Sequence, residues 1–276
     1  MLPAVLEKYG KVGLGGEGVL RTHGLTAKAR EVIQAAIDNG ISYFDSARVY
    51  NDSEVYYGSM WSELAEVRTN IFQASKSAKR DRAGALADLE ETLVRLCTDY
   101  LDLWQIHDIR TDEDIALIGG PGGALEAFVE AKASGKVRYI GVTGHHDPDV
   151  LTKAVSNWPV DAVMLPVNPV EEVLGGFLTS TLPEAKAKGV AVIGMKIMGA
   201  SHYVHLKHGI TPELLIRYAL SRDVTVAIVG CSDPEEVKTL ADTGREFEPL
   251  SDSEISLLAQ VFEPYAKQLA FYRGVI

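Results

Sequence analysis

Short apolar runs and amphipathic stretches alternate along the whole chain. The apolar runs are rich in β-branched residues and almost continuously hydrophobic, which is typical of parallel strands covered on both faces. They fall at 12–14, 41–44, 70–74, 101–106, 137–142, 162–167, 190–195 and 224–229. Successive runs begin roughly 30 residues apart, which is the size of one strand-plus-helix unit.

Helical patterns fill the intervals between the apolar runs. They are predicted near 27–39, 53–65, 82–96, 123–134, 148–155, 179–188, 212–221 and 234–242. Thr26 stands where it can cap the first of these helices, and Gly40 where it can end it. Glycines at three further positions should end later helices: Gly135, Gly189 and Gly244.

Eight such units without a linker rich in Pro, Gly or Ser predict an α/β fold, a (β/α)8 TIM barrel, as one domain over residues 1–276. Barrels of this class run to about 250 residues, so the length fits. The tail from Ser251 indicates an extra C-terminal helix that breaks at Pro264. An open doubly wound sheet has the same alternation and is the alternative fold.

Composition narrows the range of partners. The net charge of −11 argues against an extended nucleic-acid surface, which needs a basic stripe, but leaves room for a pocket that binds one small anion. Cys97 and Cys231 form neither a metal spacing nor a disulfide framework. Because no leader pattern and no apolar stretch of roughly 20 residues is evident, we expect a cytoplasmic protein without membrane contact.

Most of the apolar runs change abruptly to a polar or ionisable residue at their C-terminal end. In barrel enzymes the working residues stand at these ends. Each could have a structural role alone, as a helix cap, a solvated strand end or a buried core histidine. Together they predict one functional rim, formed by Asp45, Lys76, His107, Thr143, Asn168, Lys196 and Ser232.

The first three of these ends form a mechanism once Tyr50 is added. A phenol has a pKa near 10 and is a poor acid at neutral pH, but a neighbouring ammonium such as Lys76 lowers that pKa. Asp45 can hold Lys76 by an ion pair, and His107 can orient a substrate carbonyl. Tyr50 would then protonate the carbonyl oxygen while a hydride reaches the carbon, which requires a cofactor.

At this point the sequence resembles the aldo-keto reductase family, over roughly residues 11–242. The resemblance is carried by YFDSARVY at 43–50 with Ser53-Glu54 and Gly58, by Lys76 in QASK, by His107 in LWQIHD, by VRYIGVTGH at 137–145 and by AIVGCSDPEEV at 227–237. It implies a (β/α)8 barrel that binds a nicotinamide cofactor and interconverts aldehydes or ketones and alcohols, with Tyr50 as general acid and base.

The resemblance also implies where the cofactor lies. The residues expected to contact it are Gly16, Asp45, Thr143, Gly144, Asn168, Met195, Lys196, Gly230, Ser232, Glu236 and Lys238. Several depart from the family pattern. Thr143-Gly144 replaces Ser-Asn, Leu165-Pro166 stands where a glutamine is usual, and Met195 replaces a stacking tyrosine.

The site for the cofactor's 2′-phosphate matches least well. A carboxylate such as Glu236 suits a free 2′-hydroxyl better than a phosphate, although Lys238 could supply a compensating charge. The family favours NADP(H), which we expect, with NAD(H) as the alternative.

Other readings of the sequence stay open. The pattern G-x-G-x-x-G at 13–18 suggests a Rossmann loop, but the next helix starts too late for one, so these glycines are expected to let backbone approach the cofactor or substrate. Lys196 could form a Schiff base in a lysine-dependent aldolase. The same barrel could also be a nicotinamide-binding regulatory subunit with little turnover.

Histidines in two loops raise the question of a metal. His145 and His146 are adjacent in the chain and point to opposite faces of a strand, and three others lie in the loop after the seventh strand. We therefore predict no metal site. These loops are expected to line the mouth for a small-molecule carbonyl or alcohol substrate, with His202 and Tyr203 as contacts beside Tyr50 and His107.

Overall fold

In a computed structural model that describes residues 1–276, eight parallel strands form a closed barrel. The strands are β1 Val12–Leu14, β2 Tyr43–Asp45, β3 Phe72–Ser77, β4 Leu101–Ile106, β5 Val137–Thr143, β6 Ala162–Pro166, β7 Ala191–Met195 and β8 Val226–Val229. Each strand pairs with the next in the sequence, and β1 closes the barrel by pairing with β8, with Val12 opposite Ala227. The predicted barrel is confirmed, and the open doubly wound sheet is excluded.

Helices connect the strands on the outside of the barrel. They are α1 Leu2–Leu6, α2 Thr26–Asp38, α3 Ser53–Trp61, α4 Ala65–Asn70, α5 Arg82–Arg95, α6 Asp112–Gly119, α7 Ala124–Ala133, α8 Pro148–Asn157, α9 Pro169–Leu174, α10 Leu182–Ala187, α11 Pro212–Leu220, α12 Pro234–Arg245, α13 Asp252–Phe262 and α14 Ala266–Leu269. All eight predicted helices are present, although the one expected at 179–188 begins only at Leu182, after a π-helical turn over Phe177–Thr181. None of the helices is both long and apolar enough to cross a membrane.

The helix boundaries correct two predictions. Thr26 does not cap α2: it is the first helical residue, and Leu25 occupies the cap position without a side-chain hydrogen bond. Gly244 does not end α12 but lies inside it. A Cβ there would come within 2.6 Å of Val12 Cγ2, so the glycine lets α12 pack closely against β1. Gly40 and Gly135 do follow helix ends, in left-handed conformations.

Two strands lie further along the chain than the apolar pattern predicts. β2 spans 43–45 rather than 41–44, and β3 spans 72–77 rather than 70–74. Polar residues extend β3 because they are buried and paired, with Lys76 opposite Gln105 of β4. As a result Asp45 and Lys76 belong to the strands themselves rather than to the loops that follow.

Side chains alternate between the barrel interior and the outer layer, as strand geometry requires. The interior is an apolar cluster of 12 residues that includes Tyr43 and Ala74, and its floor is formed by Leu2 and Leu6 of α1. A larger cluster of 67 residues fills the space between the strands and the helices. Because Asp45 follows Tyr43 by two residues, and Lys76 follows Ala74 by two, both point into the barrel.

The C-terminal segment begins on the outside of the barrel and ends at its mouth. Pro264 stands at the start of a 3-10 turn over Glu263–Tyr265 that separates α13 from α14, as predicted. Beyond α14, the amide of Gly274 donates to the carbonyl of His146, just after β5. The tail therefore contacts loops at the C-terminal end of the barrel, where catalytic groups of such barrels stand.

Candidate active site

Asp45 and Lys76 form a buried ion pair on adjacent strands. Lys76 Nζ lies 2.5 Å from Asp45 Oδ2 and also donates to the carbonyl of Ser46 at 2.7 Å. Both side chains are almost fully buried. Burial raises the pKa of Asp45 and lowers the pKa of Lys76, and the opposite charge of the partner resists each change. The second oxygen of Asp45, Oδ1, accepts no hydrogen bond of good geometry.

Tyr50 and His107 complete a cluster with this pair. Tyr50 lies in the loop after β2, and Lys76 Nζ is 4.8 Å from the centroid of its ring. The ring centroids of Tyr50 and His107 are 5.5 Å apart, with the rings nearly perpendicular. The structure therefore brings together the four residues predicted to carry the chemistry.

The predicted effect of Lys76 on Tyr50 needs correction. The pKa of Tyr50 is raised well above its usual value, mainly by burial and then by the charges of Asp45 and Glu17. Lys76 does not offset this because its ammonium donates to Asp45 and Ser46, so its charge is already compensated. Tyr50 is consequently a protonated phenol at neutral pH.

His107 is a neutral imidazole held by its backbone. Burial lowers its pKa well below the usual range, and the neighbouring charge of Lys76 acts in the same direction. Arg80 donates to the carbonyls of His107 and Asp108, at 2.8 and 2.7 Å. Asp108 has a positive φ of 54°, so Arg80 fixes a strained turn directly after the histidine.

The residues predicted to contact the cofactor at the ends of β5 and β7 have different surroundings. Thr143 is buried, and its Oγ1 accepts the amide of Asp108 at 2.8 Å. A Cβ on Gly144 would point to Ile109 and Leu151 in the outer layer, so only the backbone of Gly144 is available at the rim. Met195 ends β7 and packs against the interior cluster.

Lys196 follows β7 in a left-handed conformation, with φ 58°. Its side chain is only partly buried and forms no ion pair. An aldolase would need a lysine desolvated in an apolar pocket, and Lys196 does not have that environment. Burial is the main cause of the lowered pKa of Lys76, and the nearby Lys196 acts in the same direction.

Asn168 is fully engaged in holding the loop after β6. Its Oδ1 caps α9 by accepting the amides of Val170 and Glu171. Its Nδ2 donates to the carbonyl of Lys196 at 3.1 Å and to the hydroxyl of Tyr272 at 3.0 Å. The predicted contact of Asn168 with the cofactor therefore requires one of these hydrogen bonds to open.

The loop after β8 carries the predicted phosphate contacts. Gly230 lies against Glu17, and a Cβ on Gly230 would be 2.7 Å from the Cβ of Glu17. The amide of Ser232 donates to Glu236 Oε2 at 2.6 Å, and Asp233 caps α12 by accepting the amide of Glu236. Acidic side chains thus already occupy the amides that would bind a phosphate.

Lys238 does not supply the compensating charge that the sequence suggested. It is exposed, and its ammonium pairs with Asp242 one turn further along α12, at 2.5 Å.

The two predicted substrate contacts after β7 separate in the structure. His202 is exposed, and its ring packs edge-on against Phe271 of the tail, with the centroids 5.4 Å apart. Tyr203 is buried instead, and its hydroxyl donates to the carbonyl of Leu269 in α14. The structure therefore gives Tyr203 a role in anchoring the C-terminal helices rather than in lining the mouth.

Arg21 at the mouth had no signal in the sequence, whereas the loop of His145 was expected to line the mouth. Arg21 lies over the ring of Tyr50, with its Cζ 4.9 Å from the centroid, and pairs with Glu17. His145 contacts the carbonyl of Tyr272 at 3.1 Å. These residues meet only through loops distant in the chain. The glycines at 13–18 were a partial signal of this contact, because the close packing of their segment places Glu17 and Arg21 beside Tyr50.

The chain is similar to known proteins in sequence and in fold. The family model described as "Aldo/keto reductase family" matches residues 10–210. The oxidoreductase YcsN of Bacillus subtilis is 33% identical over 139 residues, covering 44% of this chain and 44% of that protein. The L-galactose dehydrogenase of Arabidopsis thaliana is 25% identical over 311 residues, covering 97% of this chain and 95% of that protein.

A solved structure has the same fold. The aldo-keto reductase of Klebsiella pneumoniae in complex with NADPH superposes with a TM-score of 0.71 at 22% identity, covering 91% of this chain and 90% of that one. Several of the curated relatives, YcsN among them, are matched over only about half of their own length. The resemblance seen in the sequence is confirmed at the level of family and fold.

Proposed function

Because the chain belongs to the aldo/keto reductase family, we propose that it is an NAD(P)H-dependent oxidoreductase that interconverts carbonyl compounds and alcohols. The observation that carries the proposal is the convergence of four side chains at the C-terminal ends of β2, β3 and β4. Asp45 and Lys76 are paired at 2.5 Å, and the ring of Tyr50 lies 4.8 Å from Lys76 Nζ and 5.5 Å from the ring of His107.

Each of the four has a role in the reaction we propose. A reduced nicotinamide supplies the hydride when it is bound. The carbonyl oxygen of the substrate, which gains negative charge as its carbon is reduced, would take the proton of Tyr50 Oη and leave a phenolate. Neutral His107 donates a hydrogen bond that orients the carbonyl, and the ion pair of Asp45 and Lys76 sets the charge beside the ring of Tyr50.

The residues at the nicotinamide end fit the cofactor. Asp45 Oδ1 is a buried acceptor without a partner, suited to a hydroxyl of the nicotinamide ribose. Gly16 lies so close to Asp45 and Tyr50 that a Cβ would come within 2.8 Å of both, which leaves backbone alone on that side. Thr143 keeps a hydroxyl proton to donate, since its oxygen accepts from Asp108.

For the adenosine end we favour NADP(H), with NAD(H) as the alternative. The Klebsiella pneumoniae structure of this fold holds NADPH. Against this, Glu236 occupies the amide of Ser232, so a phosphate must displace a carboxylate to bind there. Titration of the protein with NADPH and with NADH decides between them, and tighter binding of NADH would overturn our preference.

The experiment that tests the proposed function is the Tyr50→Phe variant. We expect turnover of the best carbonyl substrate to fall by at least about 100-fold, because transfer of a proton by a positioned side chain contributes that much, while the affinity for the cofactor stays unchanged. The matched control is Tyr265→Phe, which removes the hydroxyl of an exposed tyrosine. Loss of reduced-nicotinamide absorbance measures turnover.

The substrate panel should include aldehydes, ketones and, in the direction of oxidation, aldoses such as L-galactose, the sugar in the name of a relative matched over 95% of its length. Normal turnover in the Tyr50→Phe variant would overturn the role of Tyr50. Tight cofactor binding without turnover on any compound would favour a regulatory subunit instead.

A further inference from the structure

The glycine-rich segment after β1 is docked firmly onto the loop after β8. The amide of Gly15 donates to the carbonyl of Val229 at 2.8 Å, and that of Val19 to the carbonyl of Cys231 at 3.1 Å. Gly18 has a φ of 67°, and a Cβ there would be 2.4 Å from the carbonyl oxygen of Cys231. Only glycine permits this approach, and it directs the following 3-10 turn, Gly18–Arg21, to the barrel mouth.

Arg21, the last residue of this turn, contacts the loop of Tyr50 in two ways. Its Cζ lies 4.9 Å from the centroid of the Tyr50 ring. Its carbonyl accepts the side-chain amide of Asn51, which has a positive φ of 46°. Glu17 holds the guanidinium from the other end of the turn, with Oε1 2.8 Å from Nη1. Arg21 is thereby fixed over the ring.

The charges around Tyr50 give Arg21 an effect that Lys76 lacks. Acidic groups face the phenol from three elements: Glu17 after β1, Asp45 on β2 and Asp108 after β4. His107, the other ring in contact, is neutral, and Lys76 is compensated by Asp45. The guanidinium is the neighbouring cation that opposes these acids.

The pair of Glu17 and Arg21 is too exposed to serve stability alone. Their side chains are 42% and 46% exposed, and an ion pair of this kind contributes little to the free energy of folding. Its position over the ring of the partly buried Tyr50 is what distinguishes it from other surface pairs.

We propose that Arg21 is a positioning residue for Tyr50, held over the phenol by Glu17, and that its positive charge helps the phenol release its proton to the carbonyl oxygen of the substrate. Glu17 has the opposite effect on that proton. The proposal rests on the proposed function, since it assigns Arg21 to the same proton transfer.

Opposite charge changes test the proposal. Arg21→Met should move the alkaline limb of the pH profile of kcat to higher pH by about half a pH unit. Glu17→Gln should move it to lower pH by a similar amount, and the double variant should return close to the original profile. The control is Arg30→Met, which breaks the pair between Arg30 of α2 and Glu63, just after α3, and should leave the profile unchanged.

A second measurement needs neither cofactor nor turnover. The onset of phenolate absorbance that belongs to Tyr50, obtained by difference from matching Tyr50→Phe proteins, should move to higher pH in Arg21→Met and to lower pH in Glu17→Gln. High salt should shrink both shifts, since exposed charges are screened.

Shifts in the same direction for both variants, or none, would overturn the proposal while the proposed function stands. Full turnover in Tyr50→Phe would instead show that the proposed function itself is wrong.

Discussion

At the residue scale, burial governs the chemistry of the candidate site. It disfavours the charged form of every group it covers, so Tyr50 keeps its proton and His107 stays neutral. Only Asp45 and Lys76 are ionised, and they neutralise each other at 2.5 Å. The cluster therefore holds two neutral proton donors, which fits the reduction of a carbonyl that we propose.

Arg80 offers a test of how His107 is held. It bonds the carbonyls of His107 and Asp108 and pairs with Asp114 at 2.8 Å. We expect Arg80→Met to lower stability by about 2 kcal/mol, because hydrogen bonds to charged groups are lost, and to lower kcat. The pKa of His107 should rise, since burial and then neighbouring charges, that of Arg80 included, lower it. Histidine NMR titration measures the pKa, and urea unfolding the stability.

Two further variants separate the causes. Arg80→Lys keeps the charge but cannot donate to both carbonyls in the geometry of a guanidinium. We therefore expect kcat to fall while the pKa of His107 stays unchanged. Arg82→Met removes an exposed partner of Glu130 and should change neither. If Arg80→Met left both kcat and the histidine titration unaltered, Arg80 would have no part in positioning His107.

At the scale of elements, the N-terminus of α12 bears on the choice of cofactor. We expect Glu236→Gln to tighten NADPH binding about fivefold relative to NADH, since removing one exposed charge changes an ionic contact by about 1 kcal/mol. The variant replaces the carboxylate that accepts from the Ser232 amide with a neutral side chain. Fluorescence titration of both cofactors measures the ratio.

Glu235→Gln is the matched control, since it removes the same charge one residue earlier without touching the amide of Ser232. It should change the ratio less. Equal ratios in the two variants would mean that Glu236 does not compete with a cofactor phosphate for that amide.

The sequence predicted the elements better than the contacts between them. Strands showed as apolar runs because both faces of a barrel strand are buried, and long helices showed through their period. Shorter helices were missed, although α6 begins with Thr111 as a cap and three acids in its first turn. Gly244 was misread because a glycine inside a helix and one at its end look alike until Val12 is seen against it.

The candidate site divides in the same way. Asp45, Lys76 and His107 could be predicted because strand phase alone brings them to one rim. Arg21 and Tyr203 could not, because their surroundings are set by loops and by the C-terminal helices, which no local pattern places. The effect of Lys76 on Tyr50 was misjudged for a similar reason. It depends on the other groups that accept hydrogen bonds from the ammonium, which are Asp45 and the carbonyl of Ser46.

At the scale of the whole molecule, the C-terminal tail ties the outer helices to the mouth. Arg273 pairs with Glu171 of α9, and both side chains are nearly inaccessible to solvent. Tyr272 donates to the same carboxylate at 2.8 Å, while its carbonyl contacts His145 beside the site. The tail therefore links α9, the end of β5 and the turn at Asp108. Asp108 Oδ1 lies 3.3 Å from His145 Nε2.

Breaking this buried pair from one side should be costly. We expect Arg273→Met to lower the free energy of unfolding by about 3–5 kcal/mol, because it leaves Glu171 buried without its counter-ion. The double variant Glu171→Gln/Arg273→Met should recover much of the loss, since no charge is then stranded. Urea unfolding of the two proteins makes the comparison.

The loss of stability in Arg273→Met should depend on pH, because the stranded carboxylate of Glu171 can take up a proton. Burial already raises the pKa of Glu171, and Arg273 is the main group that lowers it, so the variant should raise that pKa further above the value near 4.3 of an unfolded chain. A carboxyl with a raised pKa binds its proton more tightly when folded, so the deficit is largest at neutral pH and shrinks as pH falls through the folded pKa. A deficit independent of pH would mean that packing of the tail, rather than the stranded charge, accounts for the loss.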